Sequence, residues 1–114
     1  MKSISAKQFK QVMDGDKPFD LVDVRPNKDY RHNHIPGAVN VPFTSDFVDV
    51  LEDTLMGDKD IVVVVYDAHE ESDLAERAIA VMVNELGYEN AMHLDGGIMG
   101  WMEKGYKVEF GRES

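Results

Sequence analysis

One stretch of the chain concentrates side chains that do chemistry: Asp67, Ala68, His69, Glu70, Glu71, Ser72 and Asp73, with Asp23 and Arg25 as a second charged pair upstream. Carboxylates beside an imidazole are the raw material of general acid–base catalysis, of a carboxylate nucleophile or of a divalent-cation site. Thiolate chemistry is excluded at once. The 114 residues contain no cysteine, so a cysteine nucleophile, a disulfide framework and a thiolate metal site all lie outside this chain.

The elements that must position these residues are legible around them. Ile61, Val62, Val63, Val64 and Val65 form an unbroken β-branched run, which suits a strand covered on both faces of a parallel sheet. From Leu74 the apolar residues switch to helical spacing (Ala75, Ala78, Ile79, Met82, Val83, Leu86), and Gly87 stops the pattern. Asp73 with Glu76 three residues on reads as a capping box at the helix start. The 67–72 segment therefore lies between the carboxyl end of a strand and the amino end of a helix, where open α/β sheets place ligands.

Each candidate carries a plainer alternative. Asp67 as a phosphoryl acceptor needs a lysine and a second metal-binding carboxylate, and DAHEES supplies no lysine. The preferred reading turns its carboxylate inward, to satisfy N–H groups left open at the helix start. His69, Glu70 and Glu71 are adjacent, and three neighbouring loop residues seldom converge on one ion, so a solvated acidic loop is expected, with no metal and no cofactor. Asp23 and Arg25 sit at the end of a neighbouring strand, either bordering a pocket or forming a structural ion pair. His34 is expected to order a turn, His32 and His93 give no signal, Trp101 reads as core, and the scattered methionines read as packing residues.

Composition narrows the partner classes. Twelve basic against twenty-two acidic residues give a net charge of −10, which repels phosphate backbones and anionic lipid at long range, so neither nucleic acid nor membrane is an expected partner. No apolar run approaches the roughly 20 residues of a membrane span. The charged opening MKSISAKQFKQVMDGD lacks the apolar core of a secretion signal, and a cytoplasmic location is expected. The length fits one domain over 1–114, with no internal repeat or linker.

Taken in order, the spacing predicts a short strand over 2–4, a helix over 5–13, a strand over 20–24, a helical turn over 28–31, a brief strand over 38–40 and a helix over 43–55 ending near Gly57. The strand and helix around the acidic loop follow. A strand over 91–94, a turn at Gly96 and Gly97, a helix over 98–104 and an extended tail over 107–110 complete the chain. Strands alternating with helices make an α/β domain with a mainly parallel sheet and right-handed crossovers.

In this order, DLVDVRP (20–26), KDYRHNHIPGAVNVP (28–42), the valine-rich strand ending at Tyr66, Leu86-Gly87 and LDGGIMGWMEKGYKV (94–108) resemble the rhodanese homology domain across nearly the whole chain. The resemblance implies a five-stranded, mainly parallel sheet with helices on both faces, and an active-site loop directly after Tyr66. Enzymes of that family carry there a loop similar to C-x-x-G-x-R-[ST], whose cysteine takes up a sulfane sulfur as a persulfide. In this chain Asp67 stands in the cysteine position, Glu70 in that of the glycine, Ser72 in that of the arginine and Asp73 in that of the hydroxyl residue. The expectation is a catalytically inactive domain serving recognition or regulation, with a basic protein as its partner. The alternative is an enzyme of changed chemistry at the same loop, an acid–base or metal-assisted hydrolase using Asp67 and His69, or a remnant of a sulfurtransferase.

Overall fold

A computed structural model of the chain describes residues 1–55 and 58–111. Seven strands and five helices alternate along it: β1 (Ser3–Ile4), α1 (Ala6–Met13), β2 (Phe19–Asp23), α2 (Asn27–His32), β3 (Asn33–His34), β4 (Val39–Asn40), α3 (Phe47–Leu55), β5 (Val62–Tyr66), α4 (Leu74–Leu86), β6 (Ala91–Leu94), α5 (Gly97–Glu103) and β7 (Glu109–Phe110). Five of the strands form one parallel sheet in the order β1-β6-β5-β2-β4. The expected five-stranded sheet with helices on both faces is what the chain builds.

β5 lies in the middle, paired with β2 along its whole length and with β6 on the other side. Its alternation feeds two cores. Val63 and Val65 pack with Phe47 and Leu51 of α3 and Ala75, Ala78, Ile79 and Met82 of α4, while Val64 and Tyr66 face Ala6 and Phe9 of α1 and Ile98 and Trp101 of α5. A strand buried on both faces has no solvent side to mark with polar residues, which is why the valine run is continuous. Trp101 is core as expected. Its Nε1–H donates to the Lys107 carbonyl at 2.8 Å, and its ring tilts against Phe9 and Tyr106.

Three features differ from the sequence reading for local reasons. The helix expected over 43–55 begins only at Phe47, because Thr44 Oγ1 accepts from the Asp46 N–H and the segment after Pro42 turns first. Its expected end at Gly57 lies outside the described residues. The capping box is at the other helix: Ser5 and Gln8 exchange both bonds at the start of α1, whereas Asp73 caps nothing with its side chain. Met99 and Met102 are exposed rather than packed, since Ile98 and Trp101 occupy the core-facing stripe of α5 and each methionine is rotated about 100° from it. The tail does extend, and β7 pairs antiparallel with β3, a small second sheet the sequence did not announce.

Candidate functional site

Asp67 leaves the end of β5 and is fully buried. Its Oδ2 accepts the Ala75 N–H at 2.8 Å, in the first turn of α4, and its Oδ1 has no hydrogen-bond partner among the described residues. The open N–H groups at the helix start are thus met from two directions: Asp67 takes Ala75, and Ser72 Oγ takes Leu74 at 3.3 Å. A carboxylate at that end is favoured by the helix dipole. The expected cap residue Asp73 instead points outward, 4.0 Å from Arg77 in an exposed pair.

The loop is held from outside as well as from within. Its Asp67 and Ala68 carbonyls accept the Ile98 and Met99 N–H groups at 3.0 Å each, so the first turn of α5 is docked on loop backbone. Ser72 N–H closes a turn onto the His69 carbonyl at 3.1 Å. Gly97 makes the approach possible: its φ is +63°, and a Cβ there would sit 2.7–2.8 Å from Asp67 O, Ala68 C and His69 N. His69, Glu70 and Glu71 are exposed, and with Gly96, Met99, Gly100 and Glu103 they line an open cavity of about 360 Å³. Among the described residues no three His, Asp or Glu side chains converge in a way that would hold a metal ion.

Asp23 and Arg25 form a buried ion pair. Arg25 gives Asp23 its backbone N–H at 2.9 Å, its Nε–H at 3.1 Å to both oxygens and an NH2 hydrogen at 2.8 Å. Burial disfavours the guanidinium charge, but the hydrogen bonds and charge of Asp23 outweigh it and raise the Arg25 pKa. Arg25 also donates to the Asn33 carbonyl and lies over the Tyr66 ring. Tyr66 is buried beside them, and its hydroxyl accepts the Ile35 N–H at 3.1 Å. Burial, and then the Asp23 charge, push its phenol well above 10. The pair lines neither cavity beside the loop. It joins the ends of β2 and β5 to the IPG turn instead.

Of the histidines, His34 behaves as the sequence reading expects and His93 does not. His34 orders its segment: Nδ1 lies 2.9 Å from the Tyr30 carbonyl, and its ring stacks on Tyr30 at 4.1 Å. His93, which carried no sequence signal, is 8% exposed and lines a second cavity, of about 810 Å³, that shares Glu70, Gly96, Gly100 and Glu103 with the first. Among the described residues its Nε2 is buried without a partner, and its Nδ1 lies 3.7 Å from Asp95 Oδ1. A histidine in the middle of a β-strand gives no pattern by which to single it out.

Against known proteins, residues 5–104 match the family model for the rhodanese-like domain. The chain is 37% identical over 91 residues to the HTH-type transcriptional regulator Rv0324 of Mycobacterium tuberculosis, covering 80% of this chain and 38% of that protein. It is 30% identical over 105 residues to the adenylyltransferase and sulfurtransferase UBA4 of Candida albicans, covering 88% and 23%. A thiosulfate sulfurtransferase, GlpE of Actinobacillus succinogenes, is 28% identical over 89 residues, covering 78% and 74%. The chain spans well under half the length of the first two. Among solved structures, the rhodanese-like domain of Alr3790 from Anabaena superposes with a TM-score of 0.82 at 28% identity, covering 96% of this chain and 80% of that one. BH2092 of Bacillus halodurans gives 0.81 at 26%, covering 96% and 77%. With its sheet order, its docked loop and a family match over residues 5–104, the chain belongs to the rhodanese-like domain family.

Proposed function

We propose that this domain has given up sulfur transfer and acts as a recognition or regulatory module for a basic protein partner. The observation that carries the reading is Asp67: an oxygen acid occupies the position directly after β5, buried, with one oxygen on the Ala75 N–H. A carboxylate cannot carry a sulfane sulfur as a persulfide, and no cysteine elsewhere in the 114 residues can substitute. The loop rim supports the same reading, since exposed Glu70 and Glu71 disfavour an anionic donor such as thiosulfate and favour a cation. Acid–base hydrolysis by Asp67 and His69 has less support, because Asp67 is buried toward α4 while His69 is exposed. A relative at 37% identity is a transcriptional regulator of which the matched segment makes up 38%, a precedent for this fold within a regulatory protein.

Incubation with thiosulfate and cyanide tests the reading. Thiocyanate is expected at the level of a heat-denatured control, and intact-mass spectrometry is expected to show no added sulfur. Turnover above that control, or a sulfane adduct on the chain, overturns it.

A further inference from the structure

Three of the six large apolar side chains that stay exposed among the described residues, Met99, Met102 and Phe110, lie together. Met99 and Met102 are three apart on α5 and share a face of that helix. Met102 Sδ accepts from the Asn33 side-chain amide at 3.8 Å, and Asn33 is paired with Phe110 across β3 and β7, so both strand side chains stand on one face. The alternation of the tail runs off the core there: Tyr106 and Val108 pack against it, while Phe110, next in the series, is 70% exposed. Single exposed apolar residues are ordinary, but a contiguous group rimmed by charge marks an interaction site. The rim has one sign. Beside Met99, the cavity of about 360 Å³ is edged by Glu70, Glu71 and Glu103, and neither lysine nor arginine lines it.

We propose that this face docks an amphipathic segment of the basic partner, its apolar side chains seated on Met99, Met102 and Phe110 and its cationic heads on Glu70, Glu71 and Glu103. The inference rests on the recognition reading given above and says which surface and what kind of segment serve it. Charge complementarity selects the occupant, because a second copy of this chain would bring its own net charge of −10 against the same acidic rim. A lysine or arginine meets both halves of the surface, laying its methylene stem along Met99 while its head reaches the carboxylates. Along the helix axis Met99 and Met102 are about 4.5 Å apart, and Phe110 lies about one cross-strand pair beyond Asn33, a further ~5 Å. The apolar strip therefore matches about two turns of a helical segment, with anchors at i, i+3 and i+7. Unbranched thioether side chains adapt to whichever apolar group arrives. The carboxylates steer and orient, and the methionines with Phe110 supply the area.

Titration of the chain, isotope-labelled at its methionine methyls and backbone amides, with a blocked peptide of about twelve residues carrying leucine and lysine at helical spacing tests this by NMR. Oligolysine and a leucine–glutamate peptide of the same length are the controls. Saturable shifts at Met99, Met102 and the Phe110 amide are expected with the leucine–lysine peptide, about tenfold tighter than with oligolysine, and none with the leucine–glutamate peptide. Met99→Gln combined with Met102→Gln should weaken the leucine–lysine peptide by about tenfold and leave Tm unchanged, since both side chains face water. Absence of saturable shifts, shifts that spare Met99 and Met102, equal affinity in the double variant, or oligolysine binding as tightly overturns the docking face and leaves the recognition reading standing. Movement of the same methyl signals on dilution of the chain alone overturns it too, by placing a second copy there. A sulfane adduct on the chain would instead remove the recognition reading itself.

Discussion

Restoring the missing sulfur atom by Asp67→Cys should not restore sulfur transfer, and the structure shows why. The new thiol would occupy a fully buried position with one nearby donor, the Ala75 N–H now 2.8 Å from Asp67 Oδ2. That donor favours a thiolate by roughly 1.5–3 kcal/mol and the amino end of α4 by about 0.3–1 kcal/mol, together about one to three pK units. Burial works against it, and for a fully buried group amounts to as much as ~3–5 units. The exposed carboxylates of Glu70, Glu71 and Asp73 add to burial. A like charge ~8 Å away in bulk-water dielectric costs about 0.5 kcal/mol, so three such charges would raise the thiol by about one unit. Donor and helix end together do not offset burial and the neighbouring charges, and the thiol should ionise at least about one unit above its usual ~8.5. The pH at which alkylation by iodoacetamide becomes half-maximal reads this directly and separates ionisation from access. The triple variant Asp67→Cys, Glu70→Gly, Ser72→Arg should ionise about one unit lower than the single one. Half-maximal alkylation of the single variant at or below that of free cysteine, or thiocyanate formation by it, would refute the reasoning.

Two further outcomes are expected. Arg25→Met leaves Asp23 fully buried without its cation and should cost about 3–5 kcal/mol in urea denaturation, most of it regained by adding Asp23→Leu; a loss under about 1 kcal/mol would show the pair to be dispensable. Burial raises the Asp20 pKa above 3.8, so the fold holds this proton more readily than the unfolded chain, and stability declines as pH climbs through the raised value. Asp20→Asn should therefore raise Tm near neutral pH, with the gain fading as pH falls below 3.8.

Much of the fold was readable because local signals and packing agree. The valine run of β5, the helical spacing after Leu74 and the punctuation at Gly87, Gly96 and Gly97 correspond directly to observed elements. The segment carrying the site was also legible, since a strand end meeting a helix start needs no tertiary information. What stayed hidden depends on contacts across the chain. Asp73 and Glu76 have capping-box spacing, but Asp67 and Ser72 already serve the helix start, and no spacing rule sees a competitor eight residues from Ala75. The β3–β7 pairing joins residues far apart in sequence. His93 was invisible because isolation, rather than any partner, is what marks it.

Gly97 and the two N–H groups after it have a consequence for how such a domain changes over time. The start of the 67–72 segment is gripped by a helix thirty positions downstream, through the Asp67 and Ala68 carbonyls and a missing methyl, and its inward side chains Asp67 and Ser72 hold it to α4. Outward-facing positions such as His69, Glu70 and Glu71 are thereby released from any duty to shape the turn. They can be exchanged wholesale while the frame persists, and a lineage can trade one chemistry for another surface without passing through an unfolded ancestor.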